Sequence, residues 1–356
     1  MALLEINYQN IIKNVEQLKK SEKKIIAVVK NNAYNMGLED VVKTLYKIDV
    51  NYFATTNIKE AIKIREILGE EVSIFLFNAN YDFDILEKYN IEANIPNINY
   101  LKTNLKKLKN INLQLEFSGS MRRAGAKNLK EVIDIINFCK ENKLKLKGFW
   151  SHFAFADEFD GLYEEEKKLV LEVYNFAKKI YKFEVVHLQN SASFLRDGSF
   201  EEVTHIRPGI MIYGSYPYNV KNNPSKISYT PYQAFSVKAN VINVVTLKKG
   251  ECIGYSNSYI ADKEKQVAVV DIGYGDGILR ARLTGKTCLI KNKEYKILST
   301  MMSHIVVDID ENINIGDEVI IYSQKLPIYN YNKFCNSNSE QMAVLNYNSL
   351  NLKKIY

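Results

Sequence analysis

The chain has 356 residues and is 46% hydrophobic, enough for one large domain and a smaller second one. Its 48 basic and 41 acidic residues leave a net charge of +7, but lysines and acids are interspersed along amphipathic stretches and form no basic stripe of the kind that binds nucleic acid. No run of eighteen apolar residues and no basic-then-apolar leader occurs, and Cys139, Cys252, Cys288 and Cys335 lie far apart without metal-ligand spacing, so the expectation is a cytoplasmic protein with no membrane span, no nucleic-acid partner and no bound metal, its thiols mostly buried and free.

In chain order, short apolar runs recur at 25–30, 52–55, 72–77, 93–95, 113–117, 148–151, 185–189 and 204–206, separated by amphipathic segments. Between the sixth and seventh, residues 163–181 read as a helix with Leu169, Val173, Phe176 and Ile180 on one face, acids at its start and lysines near its end, as the helix dipole favours. The segment 102–109 has lysines on a solvated helix face and leucines turned inward. Eight strand–helix alternations in about 220 residues fit an α/β fold of the (β/α)8 barrel type. This predicts a barrel over 1–222 and a smaller all-β domain over 223–356, with residues 1–9 available to pair with the second domain. Residues 215–230, rich in Asn, Pro, Ser and Tyr, read as the linker. Alternating runs at 235–245, 266–272, 287–298, 305–309 and 318–322 follow without helices between them; 330–340 is loop-like, and 341–356 is a last strand or mixed segment.

Chemistry-bearing residues stand at the ends of the barrel strands. The run Lys24-Ile-Ile-Ala-Val-Val is of the kind buried on both faces, and Lys30 ends it where Asn31, Asn32 and Gly37 turn the chain. A lysine there either reaches solvent or, desolvated at the face where such barrels carry their sites, becomes nucleophilic enough to condense with a carbonyl. Arg123, in Glu116-Phe-Ser-Gly-Ser-Met-Arg-Arg123-Ala-Gly125, follows the fifth strand and offers a forked donor for an anion. Ser151-His152-Phe-Ala-Phe-Ala-Asp157 follows the sixth, His187-Leu-Gln-Asn190-Ser191 the seventh, and Arg207-Pro-Gly209-Ile210-Met-Ile-Tyr213-Gly214 the eighth. The β domain contributes Gly254-Tyr255-Ser-Asn-Ser-Tyr259, Ile272-Gly-Tyr274-Gly-Asp-Gly277 and Met302-Ser303-His304.

These motifs, in this order over residues 2 to about 322, resemble those of the alanine racemases, fold-type III enzymes dependent on pyridoxal 5′-phosphate. The resemblance implies that Lys30 holds the cofactor aldehyde as an imine and that Tyr34 and Ser191, with Gly209, Ile210 and Tyr213, serve the phosphate. It places Arg123 at the cofactor's phenolic oxygen and the substrate carboxylate, His152 beside the ring, Asn190 and His187 in its support, and Arg207 at the pyridine nitrogen. Tyr255 becomes the second catalytic base opposite Lys30, contributed by the partner subunit of a homodimer with shared sites. Tyr274 narrows the entrance, and the Met302 backbone meets the carboxylate of a small amino-acid substrate. The implied activity is interconversion of L- and D-alanine for peptidoglycan; a racemase of serine, lysine or broad range, or a non-catalytic cofactor-binding descendant, are the rival readings. Glu116 stands where the family often has a carbamylated lysine and supplies a negative charge of its own. The sequence departs from the family at Ser303 and His304 and at its C-terminus, where Leu350 falls near the position of a gate tyrosine, with Tyr347 close by.

Overall fold

Seven short strands, Ala27–Val28, Tyr52–Thr55, Ser73–Leu76, Glu92–Ile95, Leu113–Phe117, Leu146–Ser151 and Val185–His187, pair in parallel and in chain order. Nearly every residue in them is buried, as expected where helices cover one face of a parallel sheet and the other face turns inward. In this computed structural model, which describes residues 2–283, 285–331 and 337–356, the ring is closed by an eighth segment. His205–Ile206 pairs in parallel with Lys24–Ile25, Thr204 N–H donates to the Val186 carbonyl at 2.9 Å, and Ile26 and Val28 donate to the Ile206 and Pro208 carbonyls at 2.9 and 3.0 Å. The expected (β/α)8 barrel is therefore present.

Asparagine does much of the helix starting. Asn57, Asn97, Asn128 and Asn190 each precede a helix and accept a hydrogen bond from a first-turn backbone N–H, and Asp82 does the same. The helix Leu162–Ile180 forms where expected, but its buried face differs from the apolar stripe. Tyr163, Glu166, Val170, Val173, Tyr174 and Ala177 face inward, while Leu169 and Phe176 are exposed. Glu166 is the reason: its buried carboxylate accepts from the backbone N–H groups of Ser120, Ala154 and Phe155, anchoring two loops at the strand ends. In the lysine-rich segment the α-helix Ile98–Asn104 tightens into a 3-10 turn at Leu105–Leu108, with Leu101 and Leu108 buried and the lysines exposed.

The chain divides into two units. One comprises Ile12–Ile212 and Tyr216–Thr230; the other comprises Met1–Ile11, Tyr213–Ser215 and Pro231–Tyr356. Residues 216–230 thus belong to the barrel unit, where Tyr218 and Tyr229 are buried and Tyr229 donates to the Met211 carbonyl at 2.6 Å. In the second unit the strand Phe235–Leu247 pairs on both sides, so that a closed circuit runs through Lys265–Val270, Ile305–Asp308, Lys293–Thr300, Thr287–Ile290 and Glu318–Tyr322. Leu3–Asn7 adds to Phe235–Leu247 antiparallel, and Asn351–Ile355 adds to Leu3–Asn7 in parallel. Gly214, at φ +76°, is required here: a Cβ would stand 1.9 Å from the Tyr232 carbonyl oxygen.

Among the described residues, two short α-helices interrupt the all-β pattern expected for this unit, Arg280–Leu283 and Ser337–Val344. The second replaces part of the expected loop at 330–340; too few apolar residues mark its face for a helical period to be read. Cys139 and Cys288 are buried free thiols and Cys252 is exposed; Cys335 lies outside the described residues. No helix among the described residues is long and apolar enough to cross a membrane, and none of their His, Cys, Asp and Glu side chains cluster as metal ligands.

Candidate active site

Lys30 lies at the end of its strand, partly buried, where the backbone changes hand. The five residues Asn31 to Asn35 all have φ between +53° and +67°, a left-handed turn without a glycine. That conformation costs an L-residue about 1–2 kcal/mol, least for Asn, so Ala33 and Tyr34 need support from elsewhere. It comes from both sides. Ala33 N–H donates to the Val29 carbonyl at 3.0 Å, Asn32 N–H to Glu60 Oε1 at 2.7 Å, and Leu38 N–H to the Asn32 side chain at 2.9 Å, while Ala33 and Met36 are fully buried.

The turn delivers the Tyr34 hydroxyl to Gly209, 2.5 Å from the point a Cβ there would occupy. Gly209 N–H donates to Ser191 Oγ at 2.9 Å. Burial pushes the Tyr34 phenol up to about 12, so it stays a donor at neutral pH. A phenol, a hydroxyl and a glycine N–H thus share one small space at the start of the 3-10 turn Ile210–Tyr213, a cradle that any side chain at 209 would fill. The Tyr213 ring is fully buried in the second unit.

Arg207 is buried and directs the N–H groups of Nη1 and Nη2 to fixed acceptors: the His187 carbonyl at 2.7 Å, His187 Nδ1 at 2.9 Å, the Ser151 carbonyl at 2.7 Å and His152 Nδ1 at 3.2 Å. Burial, then the Arg123 guanidinium, lowers its proton affinity to about 9, which leaves it a cation at neutral pH. His152 and His187 are held well below the usual imidazole range, by burial first and by Arg207 next, so both are neutral and both turn an acceptor toward Arg207. Asn190 caps the helix Ser191–Asp197 with its oxygen and donates its amide N–H to the Phe153 carbonyl at 3.1 Å, tying the seventh strand end to the His152 loop.

Glu116 is the acid in this cationic corner. Its carboxylate lies 3.6 Å from the half-exposed Arg123 guanidinium and accepts from the Asn94 amide at 2.7 Å. Burial raises the carboxyl, while Asn94 and Arg123 oppose that shift. Lys30 moves the other way: burial first, then Arg123 and Arg207, lowers the affinity of its amine for a proton. The barrel unit therefore brings Lys30, Tyr34, Arg123, His152, Asn190, Ser191, Arg207, Gly209 and Ile210 to one end of the barrel. The two guanidinium groups and the Lys30 amine, with the Glu116 carboxylate beside Arg123, suit an anionic ligand.

The second unit holds the remaining expected residues. Tyr255 begins a 3-10 turn after Gly254 and is exposed. Tyr274 and Met302 come together, since Tyr274 N–H donates to the Met301 carbonyl at 3.0 Å and Gly275 N–H to the Met302 carbonyl at 2.7 Å.

Sequence reasoning missed several residues that hold this site. Asn94, Gln114, Glu92 and Tyr52 lie inside the barrel, and Trp150 stacks parallel to His187 with ring centroids 5.8 Å apart. The signal was available in principle: Glu92 and Asn94, and Gln114 and Glu116, are i, i+2 polar pairs in strands buried throughout, and Asn94 stands beside Gln114 in register.

Two family profiles account for most of the chain, "Alanine racemase, N-terminal domain" over residues 6–217 and "Alanine racemase, C-terminal domain" over residues 234–350. Alanine racemase 2 of Staphylococcus aureus strain Mu50 is 38% identical, the match covering 100% of this chain and 98% of that protein. The alanine racemase of Fusobacterium nucleatum is 30% identical, covering 89% and 90%. Among solved structures, alanine racemase of Clostridium difficile 630 superposes with a TM-score of 0.86 at 25% identity, covering 99% of this chain and 95% of that one. The biosynthetic alanine racemase of Pseudomonas aeruginosa superposes at 0.89 and 22% identity, covering 100% and 99%, a likeness of fold.

Proposed function

The chain belongs to the alanine racemase family, and from that premise we propose that it interconverts L- and D-alanine with pyridoxal 5′-phosphate, as a cytoplasmic homodimer that supplies D-alanine for peptidoglycan. The observation that carries this reading is the meeting of Lys30, Arg123 and Arg207 beside the cradle of Tyr34, Ser191 and Gly209. A phosphate suits hydroxyl and N–H donors in a space no Cβ enters, and a flat ring suits the row of His152, Asn190 and Arg207. Tyr34, Ser191, Gly209, Ile210 and Tyr213 would serve the phosphate, and Lys30 the aldehyde. When bound, pyridoxal phosphate withdraws electrons from the substrate's Cα and so acidifies its proton.

The residues then divide the work. Lys30, its ammonium form disfavoured by burial and two guanidinium groups, is available as an amine to take or return the Cα proton on one face. Tyr255 serves the opposite face from the partner subunit. Arg123 pairs with the substrate carboxylate, is oriented by Glu116, and is joined there by the Met302 backbone. Tyr274 narrows the entrance. Arg207 is a permanent donor that accepts no proton, so negative charge is discouraged from spreading to the ring nitrogen, and proton return at Cα is favoured over side reactions.

Purified protein with the cofactor is expected to convert L-alanine to the racemic mixture, read by chiral chromatography, and to do so faster than it converts serine or lysine. Absence of D-alanine from cofactor-loaded protein would overturn the reading; faster turnover of serine or lysine would move the substrate assignment.

A further inference from the structure

Behind Arg207 a continuous polar chain runs through the barrel interior. Lys147, at the beginning of the sixth strand, pairs with Glu92, at the beginning of the fourth. Glu92 Oε2 accepts from the Gln114 amide at 2.6 Å and from the Tyr52 hydroxyl, and the same amide reaches Tyr52 Oη at 2.6 Å. Gln114 Oε1 meets His187 Nε2 at 2.5 Å, and His187 Nδ1 meets Arg207 at 2.9 Å. Tyr52, Glu92, Gln114, His187 and Arg207 are all buried, and Lys147 is only partly exposed.

Each link has a direction. A carboxylate paired with an ammonium accepts only, so Gln114 must turn its NH2 toward Glu92 and its carbonyl toward His187. The carbonyl accepts a hydrogen bond and donates none. The His187 proton therefore resides on Nε2, and the free lone pair on Nδ1 faces Arg207, which only donates. Were Gln114 to flip, its NH2 would meet the imidazole and move the proton to Nδ1, setting N–H against N–H at Arg207. Burying that mismatch would displace the guanidinium.

Resting on the racemase reading above, we propose that Lys147, Glu92 and Gln114 are positioning residues that set the His187 tautomer from the far end of the barrel strands and so hold Arg207 as a donor toward the cofactor ring. The chain replaces a direct acidic partner for the buried Arg207 with a neutral imidazole whose lone pair is aimed by remote charges. That keeps the guanidinium oriented without neutralising it.

The test uses 15N-histidine labelling, tractable because the protein has four histidines. In the full-length cofactor-free protein, the resonances lost in His187→Gln identify His187, and they are expected to report a protonated Nε2 and an unprotonated Nδ1. Glu92→Gln, which preserves shape but lets either end of the amide face Gln114, and Gln114→Met, which removes the acceptor, are expected to shift His187 to mixed or Nδ1-protonated forms. An unchanged Nε2–H tautomer in both variants overturns the proposal, as does an Nδ1–H tautomer in the parent. In the loaded enzyme the variants should raise transamination relative to racemisation by about tenfold, the scale of one hydrogen bond to a charged group, with the KM for alanine little changed. A ratio equal to the parent's likewise overturns it. If the parent itself fails to racemise alanine, the functional reading falls while the tautomer result still decides the chain.

Discussion

The Tyr34 hydroxyl stands 2.5 Å from the place a Cβ on Gly209 would take, so the left-handed turn after Lys30 and the end of the neighbouring eighth strand are fitted to each other at the barrel mouth. Gly209→Ala should push the phenol out of the phosphate cradle and weaken pyridoxal phosphate binding by about tenfold or more, the scale of a lost charge-assisted hydrogen bond. Tyr34→Phe should weaken it by a similar factor. Because the two residues touch, the double variant should lose less than the sum of the two. Cofactor titration followed by absorbance measures all three, and strict additivity would show that the contact does not matter for binding.

Lys30 is expected to carry the cofactor, so borohydride treatment of loaded protein should leave a covalent label on Lys30 and on no other lysine, read by peptide mass spectrometry. Its amine is depressed by burial first and then by Arg123 and Arg207. Removing one like charge by Arg123→Gln should therefore raise the midpoint at which Lys30 in cofactor-free protein becomes reactive to a small acylating reagent. A fall in that midpoint would contradict the electrostatic account.

How much of this was legible in the sequence depended on how each feature shows itself. Strands such as Tyr52–Thr55 and Leu113–Phe117 were readable because strands buried on both faces read as unbroken apolar or half-apolar runs between turns. The candidate residues of the barrel stood out because they follow such runs, at the end where a barrel exposes its loops. The inward side of the barrel was not. Gln114 and Glu92 look like interruptions of a strand unless one knows that its second face is enclosed, and their partners lie 22 to 73 residues away. The left-handed turn was hidden for a related reason: with no glycine at 31–35, it is held by contacts such as those of Glu60, Val29 and buried Ala33, which come from outside the motif or from its burial. In the helix Leu162–Ile180 the apolar period misled, since the buried carboxylate of Glu166 orients the helix, while Leu169 and Phe176 stay outside.

Glu116 takes its place through Asn94 as well as Arg123, with Asn94 in turn accepting from the Trp150 indole at 3.1 Å. Glu116→Gln should raise the KM for alanine by about tenfold, corresponding to one hydrogen bond to a charged group, with little loss of fold because the amide can still meet Asn94. Bicarbonate should neither activate the parent nor rescue the variant. Bicarbonate dependence of the parent would show that the anion beside Arg123 is supplied from elsewhere.

The buried histidines make stability sensitive to acid. Burial, followed by Lys24 and Lys147, brings His205 down to about 4, and His187 and His152 are lowered too. Below pH about 6.5 the unfolded chain binds protons at these positions and the folded chain does not, so stability falls as pH falls from about 6.5 toward 4. Buried His187 and His205 contribute up to about 1.4 kcal/mol per pH unit each. Glu116, raised by burial, works in the opposite sense. Urea unfolding of cofactor-free protein across this range should show the slope, and His205→Gln should reduce it by about one proton. A slope unchanged in His205→Gln would mean that His205 is protonated in the folded protein.

Lys30 ends a barrel strand and Tyr255 opens a turn of the other unit, where its ring is exposed. If each site takes its lysine from one subunit and its tyrosine from the other, homodimers of Lys30→Ala and of Tyr255→Phe should both fail to racemise alanine. Mixing them after reversible dissociation should form heterodimers in which one of the two sites has both bases. Activity should then return to about half the parent's value per heterodimer for independent sites, because groups that act as a unit are lost or restored together. The Cα–deuterium exchange pattern adds a second readout, since Tyr255→Phe should still exchange the proton of the enantiomer that presents it to Lys30, and Lys30→Ala that of the other when a small amine replaces the lost side chain. Heterodimers verified by mass that regain no activity would refute the shared site. A Tyr255→Phe homodimer with the parent's rate would instead leave Lys30, or a residue near it, to serve both faces of Cα.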